Sequence, residues 1–189
     1  SLAMILLIGT GAAWAGLASG MTPAALGLRG VDPVVGALWT GAVVLLALGV
    51  AAAGRLLGRR EAPMLERLLP RTHAQRAVFV ALSVSAGVGE ELAFRGFLIP
   101  ALETASGSTR LAVIVSSVAF GMLHSYQRSD GVIRASALGV VMAAPLLATG
   151  SLFPSMAAHA LYDLVVGLLL ADWLVGRSGA ATGGPKQRH

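Results

Sequence analysis

The chain has 189 residues, of which 56% are hydrophobic and only 12% charged, and its mean hydropathy is +0.77. These values lie outside the range of water-soluble domains and leave room for one domain made largely of membrane-spanning segments. The net charge of +5 does not point to nucleic acid, because the arginines lie between apolar runs without the aromatic interleaving of a nucleic-acid surface. There is no cysteine, which excludes disulfides, thiolate metal ligands and a cysteine nucleophile.

The first apolar run, Leu2 to about Gly20, is long enough to cross a bilayer. It reads as a retained helix rather than a signal peptide, since no basic residues precede it. A second run extends from about Val34 to Leu57 after a short connection, Arg29 to Pro33. Between Arg55 and Arg76 comes the one long polar connection, with Arg59, Arg60, Arg67 and Arg71 inside it and Pro63 and Pro70 interrupting any continuous helix. Its middle, Met64 to Leu69, is predicted to lie along the membrane surface. A third helix is expected from about Ala74 to Ile99, stopped by Pro100, and a fourth from Thr109 to about Ser125. A fifth is expected from Gly131 to Ala148 and a sixth from Leu152 to about Val175. Asp172 then falls at the interface beside Trp173, and Gly176 to His189 form a polar, Gly-rich tail.

The sequence therefore predicts an all-α, polytopic transmembrane bundle of about six helices enclosing a polar cavity. Within one structural unit, residues 1–73 supply the N-terminal helices and basic connection, 74–175 a helical catalytic core, and 176–189 the tail. Six spans place both termini on one side. With that side cytoplasmic, eleven of the fourteen basic residues lie inside, Arg29 and Arg110 lie outside, and Arg95 falls within a helix. Scarce Lys beside abundant Arg, Ala and Gly is the composition of a GC-rich bacterial gene, so the expected location is a bacterial cytoplasmic membrane. No internal repeat supports an inverted-repeat transporter.

Ionisable residues inside such helices are costly, and they pair with one another or do chemistry. Glu90, Glu91 and Arg95 fall in the third helix, His124 near the end of the fourth, and His159 and Asp163 in the sixth. Glu91 and Arg95 are one turn apart in the favourable acid-before-base order, which predicts an ion pair. Glu90 points to another side of the helix, without a local basic partner. Phe120 and His124 are also one turn apart, so the ring packs beside the imidazole. His159 and Asp163 repeat the spacing; there the carboxylate fixes the tautomer of the imidazole or joins it on one metal ion. His73 and His189, in the connection and the tail, are assigned no role. Taken singly, each of these pairs also fits a plain packing role.

In order, Glu90-Glu91-Leu-Ala-Phe-Arg95, Phe120-Gly-Met-Leu-His124 and His159-Ala-Leu-Tyr-Asp163 resemble the three motifs of the CAAX protease and bacteriocin-processing family of intramembrane proteases. Type II CAAX prenyl endopeptidases belong to that family. The resemblance covers about residues 77 to 170. It implies an all-helical membrane fold that hydrolyses a peptide bond of a membrane-associated protein or peptide, with Glu90 and His124 activating water. His159 and the residue at 163 would then stabilise the oxyanion, and bacterial relatives are linked to bacteriocin immunity or peptide maturation. Asp163 stands where the prenyl endopeptidases have Asn, an accepted variant among bacterial members. Asn donates to an oxyanion; an ionised Asp does not.

Two routes fit the residues themselves. In one, Glu90 is the general base, His124 holds the water, and His159, oriented by Asp163, faces the oxyanion. In the other, Glu90, His124 and His159 bind a catalytic zinc with an open water position. The metal-free route is preferred, with no cofactor, and Glu91, Arg95 and Phe120 support the site. The sequence lacks His-Glu-x-x-His and Gly-x-Gly-Asp, and Gly-x-Ser-Gly occurs only in the polar tail, at 176–179, outside the apolar runs, which sets aside zincin-like, serine and presenilin-like intramembrane enzymes. The competing class is a non-catalytic binding or immunity protein of the same fold, or a small proton-coupled transporter. Straight helices at ~1.5 Å per residue would hold His124 and His159 too far apart. One shared site therefore requires tilted helices, a displaced Ser125 to Asp130 stretch, or a Pro154 region that enters the membrane before its helix begins.

Overall fold

A backbone inside a bilayer satisfies its N–H and C=O groups only within helices or a closed barrel, and the apolar runs lack the alternation of strands. The computed structural model describes residues 2–57 and 69–170, and among these there is no strand. Helix α1 spans Leu2–Ala18 and α2 spans Pro33–Leu56. Helix α3, His73–Glu91, runs without a break through a π-helical segment, Leu92–Leu98, into α4, Ile99–Ser106. Helix α5 is Thr109–Leu123, α6 is Arg128–Thr149 and α7 is Phe153–Leu168. With α3 to α4 counted as one rod, the described residues form six helical rods. Three are long and apolar enough to cross a membrane, namely Pro33–Leu56, His73–Ser106 and Ser125–Thr149, and α1 and α5 are shorter apolar helices.

Local sequence sets the ends. Asp32 caps α2 by accepting from the N–H groups of Val34 and Val35 at 2.9 and 3.0 Å, with Pro33 preset for the first turn. Thr72 and Gln75 form a reciprocal capping box at α3. Ser108 accepts from Leu111 N–H at the start of α5.

The polarity of the bundle is inverted relative to a soluble protein. Trp14, Leu38, Leu45, Ile114, Met122 and Leu161 point outwards, whereas Glu91, Arg95, His159, Ser83, Ser116 and Ser155 are buried. Lipid tails are the solvent for such a surface, and the chain is an integral membrane protein. Helices without a hydrophobic drive between them associate through close backbone approach at small residues. A Cβ at Gly89 would lie 2.5 Å from the Ile5 carbonyl oxygen of α1, and one at Gly87 would lie 2.7 Å from the Met156 carbonyl oxygen of α7. These two glycines therefore let α3 touch α1 on one side and α7 on the other, immediately beside Glu90 and Glu91.

Three boundaries differ from expectation. Pro100 does not stop the third helix, which continues to Ser106. The π-helical segment explains this: Ile99 N–H donates to Phe94 O, five residues back, so the proline falls where the ladder changes register and its missing donor disrupts little. The Ser125 to Asp130 stretch is not an open connection, because Ser125–Gln127 form a 3-10 turn and α6 begins at Arg128. The last described helix ends at Leu168 rather than near Val175. Asp172, Trp173, the 176–189 tail and most of the Met64 to Leu69 segment lie outside the described residues.

Candidate active site

Arg95 sits at the centre of the bundle, 1% exposed, and Glu91 beside it is fully buried. Their ion pair measures 3.1 Å between Arg95 Nη1 and Glu91 Oε1. Arg95 Nη2 also donates to the Gly139 carbonyl at 3.3 Å, and the guanidinium lies 4.5 Å from the centre of the Phe120 ring. One side chain thus ties the π-helical segment to α6 and α5. Ser116 Oγ adds a second tie, donating to the Phe94 carbonyl at 2.7 Å. The predicted Glu91–Arg95 pair is present.

Glu91 has a further partner that turn spacing does not disclose. Its Oε1 accepts from His159 Nδ1 at 2.8 Å, across the close α3–α7 crossing. The direct hydrogen bond to His159 therefore comes from Glu91, in addition to the expected approach of Asp163. Asp163 approaches the other nitrogen, with Oδ2 3.9 Å from Nε2, and Glu90 Oε2 lies 3.8 Å from the same Nε2. Both gaps exceed direct hydrogen-bond length, and each is short enough for one water to bridge. The Glu90 and Asp163 side chains are 23% and 32% exposed, so this side of His159 is open where the Glu91 side is sealed.

His124 follows the last residue of α5, and its Nδ1 lies 3.0 Å from the Phe120 carbonyl. A carbonyl only accepts, so Nδ1 carries the hydrogen and Nε2 is left as an acceptor. The Phe120 ring packs between the two histidines, with centroids 4.8 Å from His124 and 6.1 Å from His159. The feared separation does not arise. Helix α5 has only 15 residues, and α7 begins inside the protein, with Ser151, Leu152 and Ser155 buried. Its start is held by the 21–30 turn, through Leu152 N–H to Gly27 O and Ser151 Oγ to Arg29 O, both 2.8 Å.

His124, His159 and Asp163 line one cavity of about 140 Å³, and Glu90 reaches the same nitrogen of His159 that Asp163 does. Gln127, Arg134 and Tyr162 also line it, and sequence reasoning missed all three. Arg134 carried a signal, an arginine in the second turn of an apolar helix, but it was grouped with the basic residues at the membrane surface. Tyr162 lies between His159 and Asp163 in sequence and carried none. Among the described residues no group of three His, Asp or Glu side chains is arranged to hold a metal ion.

Fold and cluster together define a polytopic helical membrane protein with a His- and Asp-lined cavity inside its bundle and Glu90 beside its His159. Residues 72–165, about half of the chain, match the family model described as type II CAAX prenyl endopeptidase Rce1-like. The chain belongs to this family of CAAX-type intramembrane endopeptidases. No curated protein and no solved structure matches it.

Proposed function

We propose that the protein hydrolyses a peptide bond of a membrane-embedded or membrane-associated substrate, using a water activated by Glu90 and His124 without a metal. The observation that carries this reading is the approach of Glu90 Oε2 to within 3.8 Å of His159 Nε2, on the open side of an imidazole whose other nitrogen is locked by Glu91. Glu90 takes a proton from water as the oxygen attacks the carbonyl carbon, and His124 Nε2 accepts the water's second hydrogen and orients it. His159 donates from Nε2 to the oxygen on which negative charge develops. Glu90 then passes its proton to the departing nitrogen, the C–N bond breaks, and the acid and amine products leave as carboxylate and ammonium once the acid's proton passes to the amine. Asp163 only accepts when ionised, so its role is to hold His159 or the water.

The cavity borders the Ser125–Gln127 turn and the start of α6, on the side where α2 runs into the arginine-rich connection. With positive residues inside, that end and both termini face the cytoplasm of a bacterial cell. The test is a comparison of membrane proteomes from cells carrying wild type or Glu90→Gln. The expected result is at least one membrane protein that accumulates uncleaved in the variant. A folded Glu90→Gln protein with no accumulating substrate would leave the immunity-protein or transporter reading standing. Purified protein is expected to contain no stoichiometric zinc by elemental analysis; one zinc per chain, lost on replacing His124 or His159, would replace the metal-free route with the zinc one.

A further inference from the structure

On the closed side of His159, Glu91 Oε2, Arg95 Nη1 and Ser155 Oγ have no hydrogen-bond partner among the described residues. Arg95 Nη1 faces Glu91 Oε1 at 3.1 Å as an ion pair, which leaves the second carboxylate oxygen over. Glu91 and Ser155 expose no surface and Arg95 only 1%. Buried polar groups are hydrogen-bonded in nearly every case, to protein or to ordered water. Helix geometry places Ser155 with the other two. At ~100° per residue it lies between His159, which meets α3, and Ala158, which packs against α2 and Met142 of α6. Its hydroxyl is therefore on the face of α7 turned to the bundle centre. The two helices run antiparallel, since Gly87 meets Met156 and Ala160 whereas Gly96 meets Leu152. Ser155 is thus level with the turn that carries Glu91 and Arg95.

We propose that one buried water joins Ser155 Oγ, Glu91 Oε2 and Arg95 Nη1, and that Ser155 is thereby a positioning residue for His159. The catalytic consequence rests on the protease reading; the water site does not. Arg95 Nη1 and the Ser155 hydroxyl donate to the water oxygen, and the water donates to Glu91 Oε2. Three partners are the usual number for a buried water. A cation in its place would be repelled by the Arg95 guanidinium. Glu91 already accepts from His159 Nδ1 through its other oxygen, at 2.8 Å. A carboxylate held at both oxygens does not turn about its terminal bond, so the imidazole keeps Nε2 aimed at Glu90 and Asp163. Ser155 acts through Glu91 and touches no reacting atom.

The experiment uses the full chain in lipid nanodiscs and two readouts. The first is the NMR resonance of the His159 Nδ1 proton in histidine-labelled protein, assigned by its loss in His159→Ala. Ser155→Ala is expected to move it upfield and speed its exchange with solvent, because Glu91 is freed to turn. The second is cleavage of peptides from a proteome-derived library that wild type cuts and Glu90→Gln does not. There Ser155→Ala is expected to lower kcat ~10-fold with KM unchanged. In a Glu91→Gln background the same change should cost less than ~2-fold, since both act through one network. Should Ser155→Ala not fold, Ser155→Cys, close in size but a weak donor, is read in the same way. A lowered unfolding temperature with the resonance and kcat at wild-type values overturns the proposal and leaves Ser155 a packing residue. An equal kcat loss in both backgrounds overturns it too, because Ser155 would then act apart from Glu91. If wild type shows no Glu90-dependent cutting, the protease reading fails and the resonance alone decides: unmoved in Ser155→Ala, it removes the water site.

Discussion

Glu90 and Glu91 are neighbours in sequence, yet they belong to two regions with opposite character. The inner region around Arg95 is closed: Glu91 is fully buried and shares one oxygen between Arg95 and His159, and the guanidinium reaches three elements. The cavity region is open, with Glu90 and Asp163 partly exposed and Nε2 of His159 short of direct hydrogen bonds to either. A helix turns ~100° per residue, so one step along α3 separates a carboxylate that holds the bundle together from one that is available to substrate. Buried, ion-paired groups fix geometry; partly exposed ones beside the cavity do chemistry.

The largest expected effect is on the open side. Glu90→Gln keeps shape and hydrogen bonding but removes the base, so cleavage should fall ~10²- to 10⁴-fold while thermal unfolding in detergent stays unchanged. Loss of fold instead would erase the distinction between the two regions. Arg95→Ala tests the closed side. It leaves a buried carboxylate without its counter-charge, at a cost of ~3–5 kcal/mol, and folded yield in detergent should drop before chemistry does. A well-folded Arg95→Ala protein with selectively lost cleavage would move Arg95 to the substrate. Glu91→Gln sharpens the boundary between the regions. The amide oxygen still accepts from His159 Nδ1, but the charged partners are weakened by ~1.5–3 kcal/mol, so both the unfolding temperature and the cleavage rate should fall. The smallest effect is expected far from either region. Asp32→Ala removes the α2 cap for ~1 kcal/mol, read as a small drop in unfolding temperature with cleavage intact.

Much of this arrangement was legible because it is written in local spacing. The Glu91–Arg95 turn pair, the Phe120–His124 ring contact and the placing of Glu90, His159 and Asp163 in apolar helices, with His124 at the end of one, all follow from residues within one turn or one run. The Glu91–His159 bond was not legible, since it joins residues 68 apart through a helix crossing whose distance is set by Gly87. Reading Asp163 as the partner of His159 found the nearest carboxylate in sequence and left out the nearest in space. Pro100 misled for a related reason: the cost of a proline depends on which donor it removes, and the wide turn before it has already shifted the ladder. Gln127 and Arg134 escaped notice because a cavity wall has no periodicity.

That wide turn has a consequence for how the chain tolerates changes in length. A π-helical stretch behaves as one residue more than an α-helix needs, and it sets the rotational phase of everything after it. Deleting a single residue between Leu92 and Leu98 would restore an ordinary ladder and leave Ile99–Ser106 close to its present phase, whereas adding one more would swing that helix by ~100° about its axis. Ile99, 2% exposed in a cluster with Ala112, Val113 and Ala143, would leave its seat, and Glu103 would turn away from Thr109, whose hydroxyl it accepts. The segment between the two glutamates and Pro100 therefore tolerates the loss of a residue better than the gain of one.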